Sequence, residues 1–411
     1  MERQQGEEMT ENAKKFHKWR LVGGFIIAAL LLCGILYYAF ANKVQLQKVT
    51  RDLQQRVAQG EAPGQVTVGA PEGVAAQLQN SLAGCKVKKL GQVHPAGDAR
   101  RAGCEYFLAE SEVPARELQD TGYALASHRG EYWLYVTTME EGDWMITQYG
   151  SVSGLQSMAY ALVSEDGKFL LLDGGHNVDM VNLRSLIETF GNRVDLWICS
   201  HFHEDHIGAI TELLVQQGDN PQSLDYVTIQ ELWCPPMDID TYKTFAKEWD
   251  SIDTCETFLR EIADLDNVTR VNTGEAKKVG NLEFLFFSAY ADDAPWTHEG
   301  NNCGFIFQVK GKSESMLFCC DVGNEWISER LVNIFGDMLK SDYVQMGHHG
   351  NGGLTEEAYR IVAPKAAFFD GPAWLFQEEE KYTAAKNRRL MESMGCEIML
   401  MDEAPNSILL K

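Results

Sequence analysis

The chain has 411 residues, with 59 acidic and 36 basic side chains and a formal net charge of −23. Its 45% hydrophobic and 23% charged content, with 11 Pro against 36 Gly, is globular and excludes a disordered, collagen-like or coiled-coil protein. The acidic balance excludes a surface that holds nucleic acid by its overall field, so no stable duplex binding is expected, although a local metal site reverses the sign nearby.

From Leu21 to Ala41 there is no charged residue. At 1.5 Å rise per residue this run reaches about 31 Å, enough to cross a hydrocarbon core. Ala39-Phe40-Ala41 has the small-x-small form of a signal-peptide cleavage site, but the run exceeds the roughly 7–15 residues of a typical signal h-region, which favours an uncleaved transmembrane helix over 21–41. Lys14, Lys15, Lys18 and Arg20 precede it and Lys43, Lys48 and Arg51 follow, a slight bias toward a cytoplasmic tail over 1–20. The remainder is then expected outside the cytoplasm, on a single-pass protein of the cell membrane.

Residues 42–73 read as a juxtamembrane helix, with Leu46, Val49 and Leu53 at helical spacing, and a Gly- and Pro-rich linker from Gly60 to Gly73. Residues 74–131 form a small polar segment that reads as a spacer or cover. Within it, Cys85 and Cys104 flank a polar stretch and are the one plausible disulfide. The main domain is expected over 132–411. Strands Tyr132–Thr138 and Trp144–Tyr149 are expected to flank a Glu-Gly-Asp turn, followed by strands at Met158–Val163 and Phe169–Leu172, a helix near Asp179–Thr189 and a strand at Val194–Cys199. Further strands fit at Glu231–Cys234, Leu282–Phe287, Phe305–Val309, Met316–Cys320, Tyr343–Met346, Ala366–Phe369 and Glu397–Met401, with helices near Thr241–Asp264, Glu325–Phe335 and Lys381–Met394. Antiparallel meanders followed by strand–helix alternation imply an α/β protein of stacked sheets with helices outside.

The strongest chemical signal is His201-Phe202-His203-Glu204-Asp205-His206, at the mouth of an apolar strand. Imidazole and carboxylate are the ligands of zinc and related divalent metals, and two adjacent sites would use His201, His203, Asp205 and His206. Three further strand ends carry candidates: Asp173 before Gly174-Gly175, Asp321 after Cys319-Cys320, where a carboxylate could bridge two ions, and His348-His349 between Gly347 and Gly350.

This order of motifs resembles the metallo-β-lactamase fold superfamily of binuclear metallohydrolases over about Trp144 to Lys411. Within it, Cys320-Asp321 and Gly347-His348-His349-Gly350 look most like the hydrolase domain of bacterial competence DNA-uptake channels and its stand-alone relatives. The resemblance implies a metallo-β-lactamase-like αββα sandwich binding one or two divalent ions, zinc first and manganese second. His201 and His203 would hold one ion, Asp205 and His206 the other, and Asp321 would bridge them. His348, nearer its strand, would complete the second site. Asp205 would orient a metal-activated hydroxide, and His349 would supply the leaving-group proton. Departures accompany the match: Asn301-Asn302-Cys303 stands where relatives place a third His and an Asn-x-Ser, and Tyr382-Thr383-Ala384 replaces a His-Pro. His298 is the candidate substitute for the absent ligand.

Three functions compete. The first is a membrane-anchored hydrolase of a phosphodiester, on a small or short-chain substrate such as a nucleotide or oligonucleotide. The second cleaves a lactone, thioester or β-lactam on the same metals. The third is a non-catalytic tethered binding or sensor domain. Substrate choice is expected in the loops Pro235–Thr254 and Ala289–Gly300, with Trp296, Trp374 and Phe376 as packing or wall residues.

Overall fold

The run Phe169-Leu170-Leu171-Leu172 is apolar at every position because both faces of its strand are covered. Side chains alternate across a strand: Leu170 and Leu172 enter a core between two sheets, while Phe169 and Leu171 join a core beneath helices. The computed structural model describes residues 67–411 apart from 83–84, 92–98, 100–101, 103, 110–122, 127–132, 137–138, 140, 221, 224–225 and 404. The expected cytoplasmic tail, membrane span and juxtamembrane helix lie outside the described residues. Among the described residues no helix is long and apolar enough to cross a membrane.

Two seven-stranded sheets face each other. One has the order Val268–Arg270, Leu232–Cys234, Leu196–Ile198, Phe169–Asp173, Ala159–Ser164, Trp144–Gln148, Asn406–Leu410, its first four strands parallel and the rest antiparallel. The other runs Ala276–Val279, Leu282–Ser288, Ile306–Lys310, Ser315–Phe318, Tyr343–Gln345, Ala366–Phe369, Glu397–Leu400, antiparallel first and parallel after Ser315–Phe318. Trp144, Tyr160, Leu172 and Trp233 meet Phe284, Phe307, Phe318 and Phe368 between them. Helices Met180–Thr189, Glu204–Asp219 and Ile252–Glu261 cover one outer face, and Glu325–Phe335, Glu356–Val362 and Ala384–Ser393 the other. This is the expected αββα sandwich. Its parallel strands deliver the chain segments that follow Phe169–Asp173, Leu196–Ile198, Ser315–Phe318 and Tyr343–Gln345 to one edge.

Five local expectations need correction. The linker stops short of Gly73, because Thr67–Pro71 is a strand buried at every position; a Cβ on Gly69 would lie 2.4 Å from Leu90 Cδ1, so this glycine marks close packing. The segment after it is folded: helix Glu72–Ser81 and strands Lys86–Leu90, Tyr106–Ala109 and Tyr123–Ala126 join Thr67–Pro71 in a five-stranded sheet whose fifth member is Trp133–Val136. That last strand pairs with Tyr106–Ala109 and Tyr123–Ala126, so the hairpin expected with Trp144–Gln148 does not form. Strand composition alone does not choose a partner. Cys85 and Cys104 are not joined by a disulfide and lie in different cores, Cys85 with Leu78 and Leu108, Cys104 with Phe107 and Tyr135. Finally, the single helix expected over Thr241–Asp264 is two, Ile239–Phe245 and Ile252–Glu261. Ala246 is extended and Ser251 left-handed (φ 42°), and the break carries a residue of the site.

Candidate metal centre

Strand ends place the site, and their backbone is strained to do so. Asp173 (φ 53°), Cys320 (φ 48°), His348 (φ 50°) and His349 (φ 58°) are all left-handed without being glycine, a conformation that persists only where surroundings enforce it. Asp205 and His206 lie in the first turn of helix Glu204–Asp219, which starts at His203 as N-cap. Together they form two overlapping clusters. Asp205, His206, Asp321 and His349 offer ligand atoms within 4.8 Å of one another; His201, His203 and Asp321 do the same. Asp321 belongs to both, the position of a bridging carboxylate.

Each imidazole is held at its rear nitrogen. His206 Nδ1 donates to Asp173 Oδ2 at 2.7 Å, and Asp173 also receives the Ser200 N–H (2.7 Å) and hydroxyl (2.6 Å). His201 Nδ1 lies 3.2 Å from Ser200 Oγ, His203 Nε2 lies 3.0 Å from Asp250 Oδ1, and His349 Nδ1 donates to the Asp370 carbonyl at 3.2 Å. What remains points inward: Nε2 of His201, His206 and His349 and Oδ1 of Asp321 are buried and complete no well-formed hydrogen bond, and they crowd together as ion pairs, His206 Nε2 at 3.2 Å from Asp321 Oδ1 and His349 Nε2 at 3.0 Å from Asp205 Oδ2. Imidazole nitrogens and carboxylate oxygens gathered in this way are a donor set that fits a divalent cation.

Electrostatics divides the two clusters. Burial, reinforced by His206 and His203, pushes His201 well below the usual histidine range, so it presents a lone pair. Burial opposes charge on His349 as well, but Asp321 and Asp205 outweigh it and raise its pKa to about 10. Asp321, Asp173 and Asp205 likewise overcome burial to lift His206 well above the ordinary value. Burial acts to raise Asp205 and Asp321, yet the neighbouring His206 and His349 hold both carboxyls well below theirs.

All seven residues singled out by the sequence converge here, but two exchange roles. His349 is 1% exposed, with Nε2 3.0 Å from Asp205 Oδ2 and 3.2 Å from Asp321 Oδ2. His348 is 35% exposed, and its Nε2 stands 4.0 Å from Asp321 and 3.4 Å from Asn301 Nδ2. The expectation that His348 completes the second cluster is therefore reversed. Chain distance from the strand misled, because the left-handed turn swings the second histidine inward. His298 does not replace the absent ligand either: it is stacked between Phe245 (5.7 Å) and Tyr290 (5.4 Å) and joins neither cluster. Asn302 is committed elsewhere, donating to Glu299 and accepting from the Gly323 N–H. Thr383, in place of the His-Pro, accepts from the Gly352 N–H and receives a bond from no ligand; Asn387 donates to the Gly350 and Gly352 carbonyls, which pins that turn.

Two supporting acids escaped the sequence reading. Asp250 lay inside the span read as continuous helix. Asp370 follows Ala366–Phe369 and is buried by Gln148, Tyr160 and Gln345, all donating to it; burial raises its pKa to about 6. A strand-end acid after Phe369 was the available signal for the second. Of the expected wall residues, Trp296 packs on Trp326 and Arg330, Phe376 on Phe369, and Trp374 on Tyr382.

Comparison with known proteins points to the same superfamily. Residues 152–228, which include His201–His206, match the metallo-beta-lactamase superfamily. Over 240 residues the chain is 25% identical to an anaerobic nitric oxide reductase flavorubredoxin of Citrobacter koseri, covering 57% of this chain and 42% of that protein. The chain thus spans about two fifths of the length of the curated relatives it matches. Among solved structures it is similar to a metallo-beta-lactamase fold protein from Bacillus subtilis, at 12% identity over 66% of this chain and 99% of that one with a TM-score of 0.40. It is also similar to a diiron beta-hydroxylase from Streptomyces venezuelae, at 12% identity over 67% and 55% with a TM-score of 0.39.

Proposed function

We propose that this metallo-β-lactamase-like domain is a metal-dependent hydrolase acting on a small or short-chain phosphodiester, held at the cell membrane by residues 21–41 with its site outside the cytoplasm. The observation that carries the metal-dependent part is the convergence of the inward Nε2 atoms of His201, His206 and His349 on Asp321. Preference for phosphorus rests on the Gly347-His348-His349-Gly350 resemblance, and preference for short substrates on the net charge of −23. Near the site, Lys247 is paired with Glu299 at 3.0 Å and its ammonium stands 5.5 Å over the ring of Trp249, which is 70% exposed.

When bound, divalent ions supply Lewis acidity and lower the pKa of water from about 16 to about 7. The chain's own residues do the rest. Asp205 accepts a hydrogen bond from the nucleophile and orients it. His348, partly exposed at the mouth, moves a proton to the leaving group, the part the sequence assigned to His349. Its partial burial holds it below the ordinary histidine value, so it is neutral at pH 7; it would take up the proton that the attacking water gives up and deliver that same proton to the leaving group. Zinc is the proposed ion, with manganese second.

The test compares bis(p-nitrophenyl) phosphate, nitrocefin and a homoserine lactone with the zinc- or manganese-loaded full chain. Phosphodiester cleavage lost in a His203→Ala, Asp205→Ala double variant is the expected result. Turnover of the other two alone would move the reading to carbon-centred hydrolysis, and none at all would leave a tethered binding domain. A second reading has its own observation: each cluster pairs two imidazoles with carboxylate, a set that also suits iron. It would be nitric oxide reduction, as the flavorubredoxin name denotes, and nitric oxide consumption by iron-loaded but not zinc-loaded protein, with electrons supplied by an added chemical reductant, would establish it.

The clusters are also unequal, four candidate ligands against three. Titration of the metal-free chain with zinc against a chromophoric chelator is expected to give two classes of site, separated by at least about tenfold, the equivalent of about 1.4 kcal/mol. One class of two equal sites would contradict this.

A further inference from the structure

We propose that Asp250 is the positioning residue of the weaker metal site, fixing His203 so that its Nδ1 is the nitrogen offered to the ion; this rests on the metal-centre reading above. His203 Nε2 donates to Asp250 Oδ1 at 3.0 Å, and a carboxylate only accepts, so the ring proton sits on Nε2 and the lone pair on Nδ1. Asp250 is 2% exposed, and a carboxylate that deep needs its partners. Its Oδ2 accepts the Lys247 N–H at 2.7 Å, and its own carbonyl accepts the Tyr242 hydroxyl at 2.9 Å. Side chain and backbone are thus both anchored before His203 arrives.

The local chain is shaped around this pair. A helix continuing through 246–251 would carry Asp250 past the site. Instead, extended Ala246 and left-handed Ser251 turn the segment in on His203. Opposite it, a Cβ on Gly300 would lie 2.5 Å from His203 Nε2 and 2.6 Å from Asp250 Oδ1, so only glycine admits the hydrogen bond there. The other three imidazoles are held from the sheet, by Ser200, Asp173 and the Asp370 carbonyl. His203 alone of the four is held from the loop between two helices. It belongs to the cluster with three candidate ligands, where one misdirected ring removes a third of the coordination.

Partners of this kind are worth about 10–100-fold in metal affinity. The experiment uses the full chain with 15N-labelled histidine. In the wild type, the His203 Nε2–H signal is expected in the metal-free protein, and its Nδ1 shift is expected to move when the weaker zinc site fills. Asp250→Ala is expected to weaken that site about 10–100-fold while leaving the tighter one within about threefold. Asp250→Asn, which keeps one acceptor for two donors, is expected to fall between. A melting temperature for each variant separates positioning from scaffolding, since misfolding would damage both sites together. Equal loss at both sites, no loss at either, or a wild-type His203 protonated on Nδ1 would each overturn the inference while two bound zinc ions left the metal-centre reading standing. A wild-type chain that binds no zinc would overturn both.

Discussion

Asp321→Ala is expected to cut bound metal from about two equivalents per chain to one or none, and to lower hydrolysis by more than about 100-fold, beyond the range of a mere supporting residue. Asp321 is the one residue shared by both clusters among the described residues. Its Oδ1 stands 3.2 Å from His206 Nε2, and its Oδ2 stands 3.2 Å from His349 Nε2 and 3.9 Å from His201 Nε2. No neighbouring acid can take over, because Asp205 faces His349 and His206 while Asp173 and Asp250 are spent on the rear nitrogens. Asp205→Ala is the matched control: it belongs only to the four-ligand cluster, so the three-ligand cluster should keep its ion. Loss of the Asp321 carboxylate also removes one of the charges that hold His206 and His349 protonated, while Asp205 remains beside both. Elemental mass spectrometry of the purified full chain decides the matter. Two retained equivalents in Asp321→Ala would remove Asp321 from the coordination sphere.

Much of this site was legible because its residues are chemically conspicuous at strand ends. His201–His206 and Asp321 announce themselves by type and by the apolar strands before them, and the layers followed from runs such as Phe169–Leu172 that are buried on both faces. What was not legible depends on geometry that spacing does not encode. Asp250 looked like one more polar residue on a helix face, since nothing in Thr241–Asp264 signals that Ala246 is extended and Ser251 left-handed. The choice between His348 and His349 turned on two positive φ angles. The small sheet was hidden for another reason: Thr67–Pro71 is built from Thr, Val, Gly, Ala and Pro, small residues that also compose linkers, and its packing against Leu90 is visible only in three dimensions. A family resemblance supplied the expectation that Asp321 bridges and left His348 or His349 for the second site; the preference for His348 came from its nearness to the strand, and spacing does not fix side-chain direction.

Proton release should accompany filling of the four-ligand site, and the three-ligand site should differ. In the metal-free chain at pH 7, His349, with its pKa raised to about 10, and His206, raised well above the ordinary value, both carry a proton on the inward Nε2. A metal ion must displace those two protons. Affinity at that site is therefore expected to rise with pH, by up to about 100-fold per unit for two protons, until pH approaches about 10. His201 is held well below the usual range and has no proton to lose at pH 7, so its contribution to the other site is flat there. Calorimetric titration with zinc in two buffers of different ionisation enthalpy reads the difference directly. About two protons released with the tighter ion is the expected result, and none would refute the protonation scheme. Unfolding does not imitate the effect. The raised histidines stabilise the metal-free fold fully below their ordinary pKa and lose that contribution as pH climbs through their raised values, about 10 for His349, while the depressed Asp205 and Asp321 lose theirs only as pH falls below about 4. Between those limits the same charges that keep the empty site folded are the ones the metal must displace, so acidification toward pH 5 should release the tighter ion from a chain that is still folded.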